Sequence, residues 1–192
     1  MYKICKTEES AARQYQLEQG MLRAMLSEPY DRITISSLCT LLDIPRKTFY
    51  RYFPKKEDAL IALIDHTLAG CNQMVVFAWE GKQEFRFEDQ ERFFFYWRSQ
   101  EPFLRALERN GFLPLLLDRS EAIVDRMKAS QKRPGEQMDF ARDQIDYAIA
   151  SGLMTMVLRW HRFGYPCSAQ EMARASADLL SSPKISISKL FL

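Results

Sequence analysis

The chain has 192 residues, 47% of them hydrophobic and 27% charged, with a formal net charge of only +2. That is enough for one substantial core or two small ones sharing a helix, and it excludes a polycation, so any basic patch must be local. Four cysteines at spacings of 34, 32 and 96 residues and two isolated histidines match no metal cluster and no redox pair.

Only seven glycines occur, and apolar residues recur at helical spacing, which predicts an all-α fold. The first helix is expected over residues 7–27. It carries Tyr15, Leu22, Met25 and Leu26 on one stripe, with Leu17, Met21 and Ala24 beside it. The proline of SEPYDR breaks it. A short second helix opens at Thr34, a residue type that caps, and repeats Ile35, Leu38 and Leu42 at three and four. LLDIP is a tight turn: Asp43 tolerates a left-handed backbone, and Pro45 suits a first helical turn. Cys39 and Cys71 lie in apolar stretches and read as small core hydrophobes.

The stretch RKTFYRYFPKK (46–56) interleaves five cations with four aromatics and has no acid. A third helix over 45–53 sorts them. At 100° per residue, Phe49 and Phe53 share a face and close a small core with Leu38, Leu42 and Ile44. Lys47, Thr48 and Arg51 take the opposite face. Tyr50 and Tyr52 fall on the flanks with their hydroxyls available. Lys55 and Lys56 then stand at the start of a fourth helix, 56–79, where cations oppose the helix dipole and an anionic partner would relieve the conflict.

Two short helices around a tight turn, the second basic outside, form a helix-turn-helix. A major groove admits one such helix. Lys47, Thr48 and Arg51 would face base edges. Arg46, Tyr50, Tyr52, Lys55, Lys56 and the helix start at Thr34 would meet groove or phosphate. The competing reading is a solvated basic face on an ordinary helical hairpin.

Beyond residue 79 a charged connector, EGKQEFRFEDQ, is followed by helices expected over 88–99, 102–109, 112–130, 138–163 and 168–180. The tail SSPKISISKLFL is expected to order only against a partner surface. In YAIASGLMTMVLRW, Ala148, Ala150, Ser151 and Gly152 permit close helix approach, within the chain or between chains.

The segment 33–64, ITISSLCTLLDIPRKTFYRYFPKKEDALIALI, resembles the DNA-binding region of the TetR family of transcriptional regulators. The resemblance rests on Thr34, Arg46, Thr48, Phe49, Tyr50, Tyr52, Phe53 and Lys56. Asp43 replaces the usual turn glycine, and Pro45 the usual serine, which removes a hydroxyl and an N–H at the recognition-helix start. The resemblance implies a three-helix DNA-binding head over 1–55. It also implies a larger helical domain over 56–192, joined through 56–79, that dimerises and binds an effector. The implied function is a homodimeric repressor on a palindromic double-stranded operator, with a small apolar or aromatic effector. Control by a protein partner is the alternative.

Five consecutive aromatics in RFFFYWR (92–98) point all around a helix. Phe94, Trp97, Phe112 and Trp160 are the candidate effector-pocket residues; Phe93, Phe94 and Trp97 can equally fill core. Catalysis is not expected. There is no glycine-rich phosphate loop, His66 and His161 lack sequence-local partners, and Asp139, Asp143 and Asp146 read as a solvated helix face. MYKICKTEES has no signal-peptide character and no apolar run reaches spanning length, so a cytoplasmic protein without cofactors is expected.

Overall fold

The computed structural model of the chain describes residues 2, 5–74, 87–131 and 140–181, and none of these is in a strand. The tail 182–192 and most of the charged connector lie outside the described residues. No described helix is long and apolar enough to cross a membrane.

Helix α1 (Glu8–Ser27) is opened by Thr7, whose hydroxyl accepts the Ser10 amide, with Glu8 and Glu9 suiting the positive end of the dipole. Its inward face is Gln14, Leu17, Glu18, Gly20, Met21, Ala24 and Met25. The expected stripe is therefore rotated: Tyr15 is 59% exposed, while Leu22 and Leu26 are half-buried. Two polar residues occupy core positions because each has a partner. Gln14 Oε1 accepts from the Cys5 thiol at 2.7 Å, and the Glu18 carboxylate meets His66 Nδ1 at 2.9 Å.

A 3-10 turn, Tyr30–Arg32, which the sequence pattern does not announce, leads to α2 (Ile35–Leu41). Thr34 caps α2 in a reciprocal box with Ser37. Asp43 makes the turn with a φ of 51°, as its tolerance of the left-handed region allows. Pro45 lies just outside α3 (Arg46–Tyr52) rather than in its first turn. Gly20 allows this turn to lie against α1, since a Cβ there would stand 2.5 Å from Leu42 Cδ1.

Helix α4 (Lys56–Met74) buries Ala59, Leu60, Ala62, Leu63, Ile64, Leu68 and Cys71, because α1, α5 and α7 all pack on it. The expected extension to 79 lies outside the described residues. In the body, α5 (Phe87–Ser99) pairs with α9 (Ala169–Ser181), and α7 (Leu113–Gln131) pairs with α8 (Phe140–Arg162). The short α6 (Glu101–Arg109) touches α1 as well as α5, α7 and α8. One continuous hydrophobic core runs from Leu17 in the head to Trp160 in the body.

Candidate nucleic-acid interface

Helix α3 has only seven residues, too short to persist alone, so its inward face must hold it. Phe49 and Phe53 do so at 1% and 0% exposure, with ring centroids 5.5 Å apart. Tyr52 joins them at 5% exposure and 6.5 Å from Phe53. This corrects the expectation of a tyrosine on each flank. Tyr52 stands three residues after Phe49, within the arc that α1 and α2 cover, and its ring is core.

Tyr50 does point outward, 46% exposed, and Arg46 Nη2 donates to its hydroxyl at 3.1 Å. Arg46, Lys47, Arg51 and Lys55 are exposed, and Thr48 is half-buried among them. Thr34 is exposed at the open end of α2, with its hydroxyl engaged by the Ser37 amide at 3.0 Å. The outward surface of α3 thus carries three cations and two hydroxyls, with Lys55 just beyond its end.

Lys56 is placed differently from expectation. Its ammonium donates to the carbonyls of Tyr30 at 2.9 Å and Ile33 at 2.8 Å, and stands 4.0 Å from the centre of the Tyr30 ring. The cation at the start of α4 turns back on the 3-10 turn, and Glu57 and Asp58 occupy the first turn of that helix. The conflict with the dipole is relieved inside the chain. Asn110, which the sequence did not single out, reaches the same turn. Its Oδ1 accepts the Tyr30 amide at 2.7 Å, and its Nδ2 donates to Met25 O at 3.3 Å and Ala106 O at 2.7 Å. An asparagine after a helix reads as a C-cap, so its long-range role left no sequence signal.

Two grooves border α1 and the α2–α3 turn. One, of about 500 Å³, is lined by Ser10 and Arg13 together with Thr48 and Arg51, and so opens onto the outward face of α3. The other, of about 690 Å³, lies between Arg13, Tyr15 and Arg23 of α1 and Leu41 and Leu42.

Of the candidate effector residues, Phe94, Trp97 and Trp160 are buried, and Phe94 meets Trp160 edge-on at 6.0 Å. The ring partner of Phe112 is instead Tyr30, edge-on at 4.9 Å, which places Phe112 at the seam between head and body. Phe93 and Trp97 pack 6.3 Å apart, and Phe95 is exposed. Tyr96 lies over Gly70 of α4, where a Cβ would stand 2.7 Å from its hydroxyl, and donates to Thr67 O at 2.5 Å. Burial pushes the nearby Cys71 thiol up to about 12, so it stays protonated.

No family profile and no curated protein matches the chain. Solved structures do. The fatty acid degradation regulator FadR from Bacillus halodurans superposes with a TM-score of 0.60 at 14% identity, over 95% of this chain and 99% of that one. The dihydroxyacetone kinase operon activator DhaS gives 0.58 at 16% identity, over 88% and 94%. A TetR transcriptional regulator from Streptococcus agalactiae gives 0.56 at 12% identity, over 91% and 96%. Across head and body alike, the chain has the all-helical fold of the TetR-type transcriptional regulators.

Proposed function

We propose that the chain is a DNA-binding transcriptional regulator that occupies a palindromic operator as a homodimer and represses from it. The observation that carries this reading is α3. Its inward face is fixed by Phe49, Tyr52 and Phe53, and its outward face presents Arg46, Lys47, Arg51 and the Tyr50 hydroxyl, with Lys55 beside it. Lys47, Thr48 and Arg51 read bases; Arg46, Tyr50, Lys55 and the α2 start at Thr34 hold the backbone. A dimer clamped on an operator obstructs polymerase without further contacts.

The dimer reading is supported by α8. Ile145 is 59% exposed, and Ala148, Gly152 and Thr155 follow it on one exposed face. A Cβ added at Gly152 would meet nothing within 4 Å, so a second helix has room to approach. To enter successive major grooves, the paired recognition helices must stand roughly 34–36 Å apart, one DNA turn.

Release by a small apolar or aromatic effector would act through the aromatic cluster of α5 and α8, whose Phe94, Trp97 and Trp160 are packed as core, and its tie to α4 through Tyr96. A ligand that displaces Tyr96 biases α4, provided it binds the released state better than the DNA-bound one. A 100-fold loss of operator affinity requires a coupling of about 2.7 kcal/mol.

The test is selection of duplexes from a random pool by the full chain, followed by a salt titration on the selected duplex. The two cations per subunit that hold the backbone, Arg46 and Lys55, predict a log–log slope of about −3.6 for a dimer. A slope near zero between low and moderate salt would refute the reading.

A further inference from the structure

The 3-10 turn Tyr30–Arg32 is gripped from two sides. Lys56, the first residue of α4, commits two of its three N–H groups to the carbonyls of Tyr30 and Ile33. Ile33 immediately precedes Thr34, the cap of α2, so this grip lies one residue from the reading unit. Asn110, at the end of α6, holds the Tyr30 amide with its oxygen and the Met25 and Ala106 carbonyls with its nitrogen. Arg109 adds a bond to Leu26 O at 2.7 Å. The same turn of α6 lies against the long helix of the body. Glu108 Oε2 lies 3.2 Å from His161 Nε2, and Glu108 Oε1 lies 3.8 Å from Arg162 Nε.

We infer that Lys56 and Asn110 are positioning residues for DNA recognition: together they set the pitch of the α2–α3 unit against the body, and Lys56 does this in place of touching phosphate. The inference rests on the DNA reading proposed above. The α2–α3 unit is small, and the path from α1 into α2 runs through a turn whose Tyr30 N–H and whose Tyr30 and Ile33 carbonyls are taken by side chains from the connecting helix and from the body. In a dimer, the separation of the two α3 helices then depends on both grips. Loosening either one lets the readers swing and blurs the register between half-sites.

The experiment compares the wild-type full chain with Lys56→Met, Asn110→Ala and Asn110→Asp. The duplex is the one the wild type selects, alongside versions with one base pair inserted or removed between half-sites. Each is titrated over a range of salt, and amide exchange over 28–36 is followed in the free protein. Lys56→Met and Asn110→Ala are expected to bind the selected spacing several-fold more weakly, to discriminate less between spacings, and to exchange faster over 28–36. Asn110→Asp keeps the bond to the Tyr30 amide and is expected to fall between. The salt slope stays at the wild-type value in all three.

A variant that only lowers the folded fraction weakens every spacing alike and would overturn the inference. So would a slope shallower by about 1.8 in Lys56→Met with spacing preference intact, which is the mark of one lost phosphate contact per subunit. If the wild type selects a duplex and no variant changes its spacing preference, this inference alone falls. If the wild type selects no duplex, the DNA reading falls and carries this inference with it.

Discussion

Helices α3 and α5 have nearly the same ingredients and opposite outcomes. Each is rich in aromatics flanked by cations, and each turns three aromatics inward: Phe49, Tyr52 and, just past its end, Phe53 in the head; Phe93, Phe94 and Trp97 in the body. Each leaves one aromatic outside, Tyr50 and Phe95. The difference lies in the cations. In α5, Arg92 lies 3.9 Å from Asp89, and Arg98 stands 4.0 Å from the centre of the Tyr165 ring. In α3 no acid is present, and Arg46 is paired with the Tyr50 hydroxyl of the same helix. The proposed reading of α3 as a binding surface rests on this contrast in its cations.

The largest test of this contrast is truncation of the anchors. Phe49→Ala and Trp97→Ala should each cost about 3–5 kcal/mol in urea unfolding of the full chain. Phe95→Ala should stay within about 0.5 kcal/mol, as an exposed position does. Equal losses for Phe95 and Trp97 would break the assignment of faces in α5.

The next test concerns recognition. Lys47→Ala or Thr48→Ala should reduce discrimination between selected and scrambled duplex by about 1–3 kcal/mol in competition binding. Tyr50→Phe should weaken both duplexes alike. Arg92→Ala and Arg98→Ala, cationic but internally satisfied, should leave DNA affinity unchanged. Any sequence preference arising from Tyr50 would reverse the roles given to the two parts of α3.

The smallest effect is a pH dependence in the contact of α1 with α4. Hydrogen bonding to the buried Glu18 carboxylate raises the His66 pKa; burial opposes the rise, and the charges of Glu18 and Asp65 add to it. Tyr2 faces the imidazole edge-on at 5.6 Å, and Arg119 of α7 holds Asp65 through two bonds. Because the folded value lies above the unfolded one, the stabilisation is fully present below the ordinary histidine range. It is lost as pH rises through the elevated value. With the His66 side chain 47% exposed, the contribution is under about 1 kcal/mol after solvent screening. Melting temperatures between roughly pH 5.5 and 8.5 should fall more steeply for wild type than for His66→Gln. Parallel profiles would remove His66 as the source.

Much of the head was legible because its cues are local. Thr34 caps α2, Asp43 takes the left-handed turn, and Phe49 and Phe53 lie four residues apart on one face. The body helices begin and end within one or two residues of their expected bounds where they are described, because their breaks carry proline, glycine or asparagine. What escaped depends on distant partners. The phase of α1 was misread because Gln14 and Glu18 are polar yet buried, each with a partner elsewhere in the chain. Lys56 looked free because its carbonyls lie 26 and 23 residues away in a turn with no strong signal. Phe112 looked like body because its ring partner, Tyr30, belongs to the head. Tyr52 was placed on a flank because a helical wheel gives an angle and not the width of the covering neighbours.

The bond from Tyr30 to Asn110 joins residues eighty apart in the chain. On the ribosome, at about 5–20 residues per second, some 4–16 seconds separate the synthesis of the two partners. Through that interval α1, α2 and α3 are all made and able to pack, while α6 has yet to appear. Lys56, only 26 residues behind Tyr30, can grip the turn early in that interval, and the second grip arrives only when α6 docks. The order of synthesis thus separates folding of the helix-turn-helix from the last of the contacts that hold it against the body.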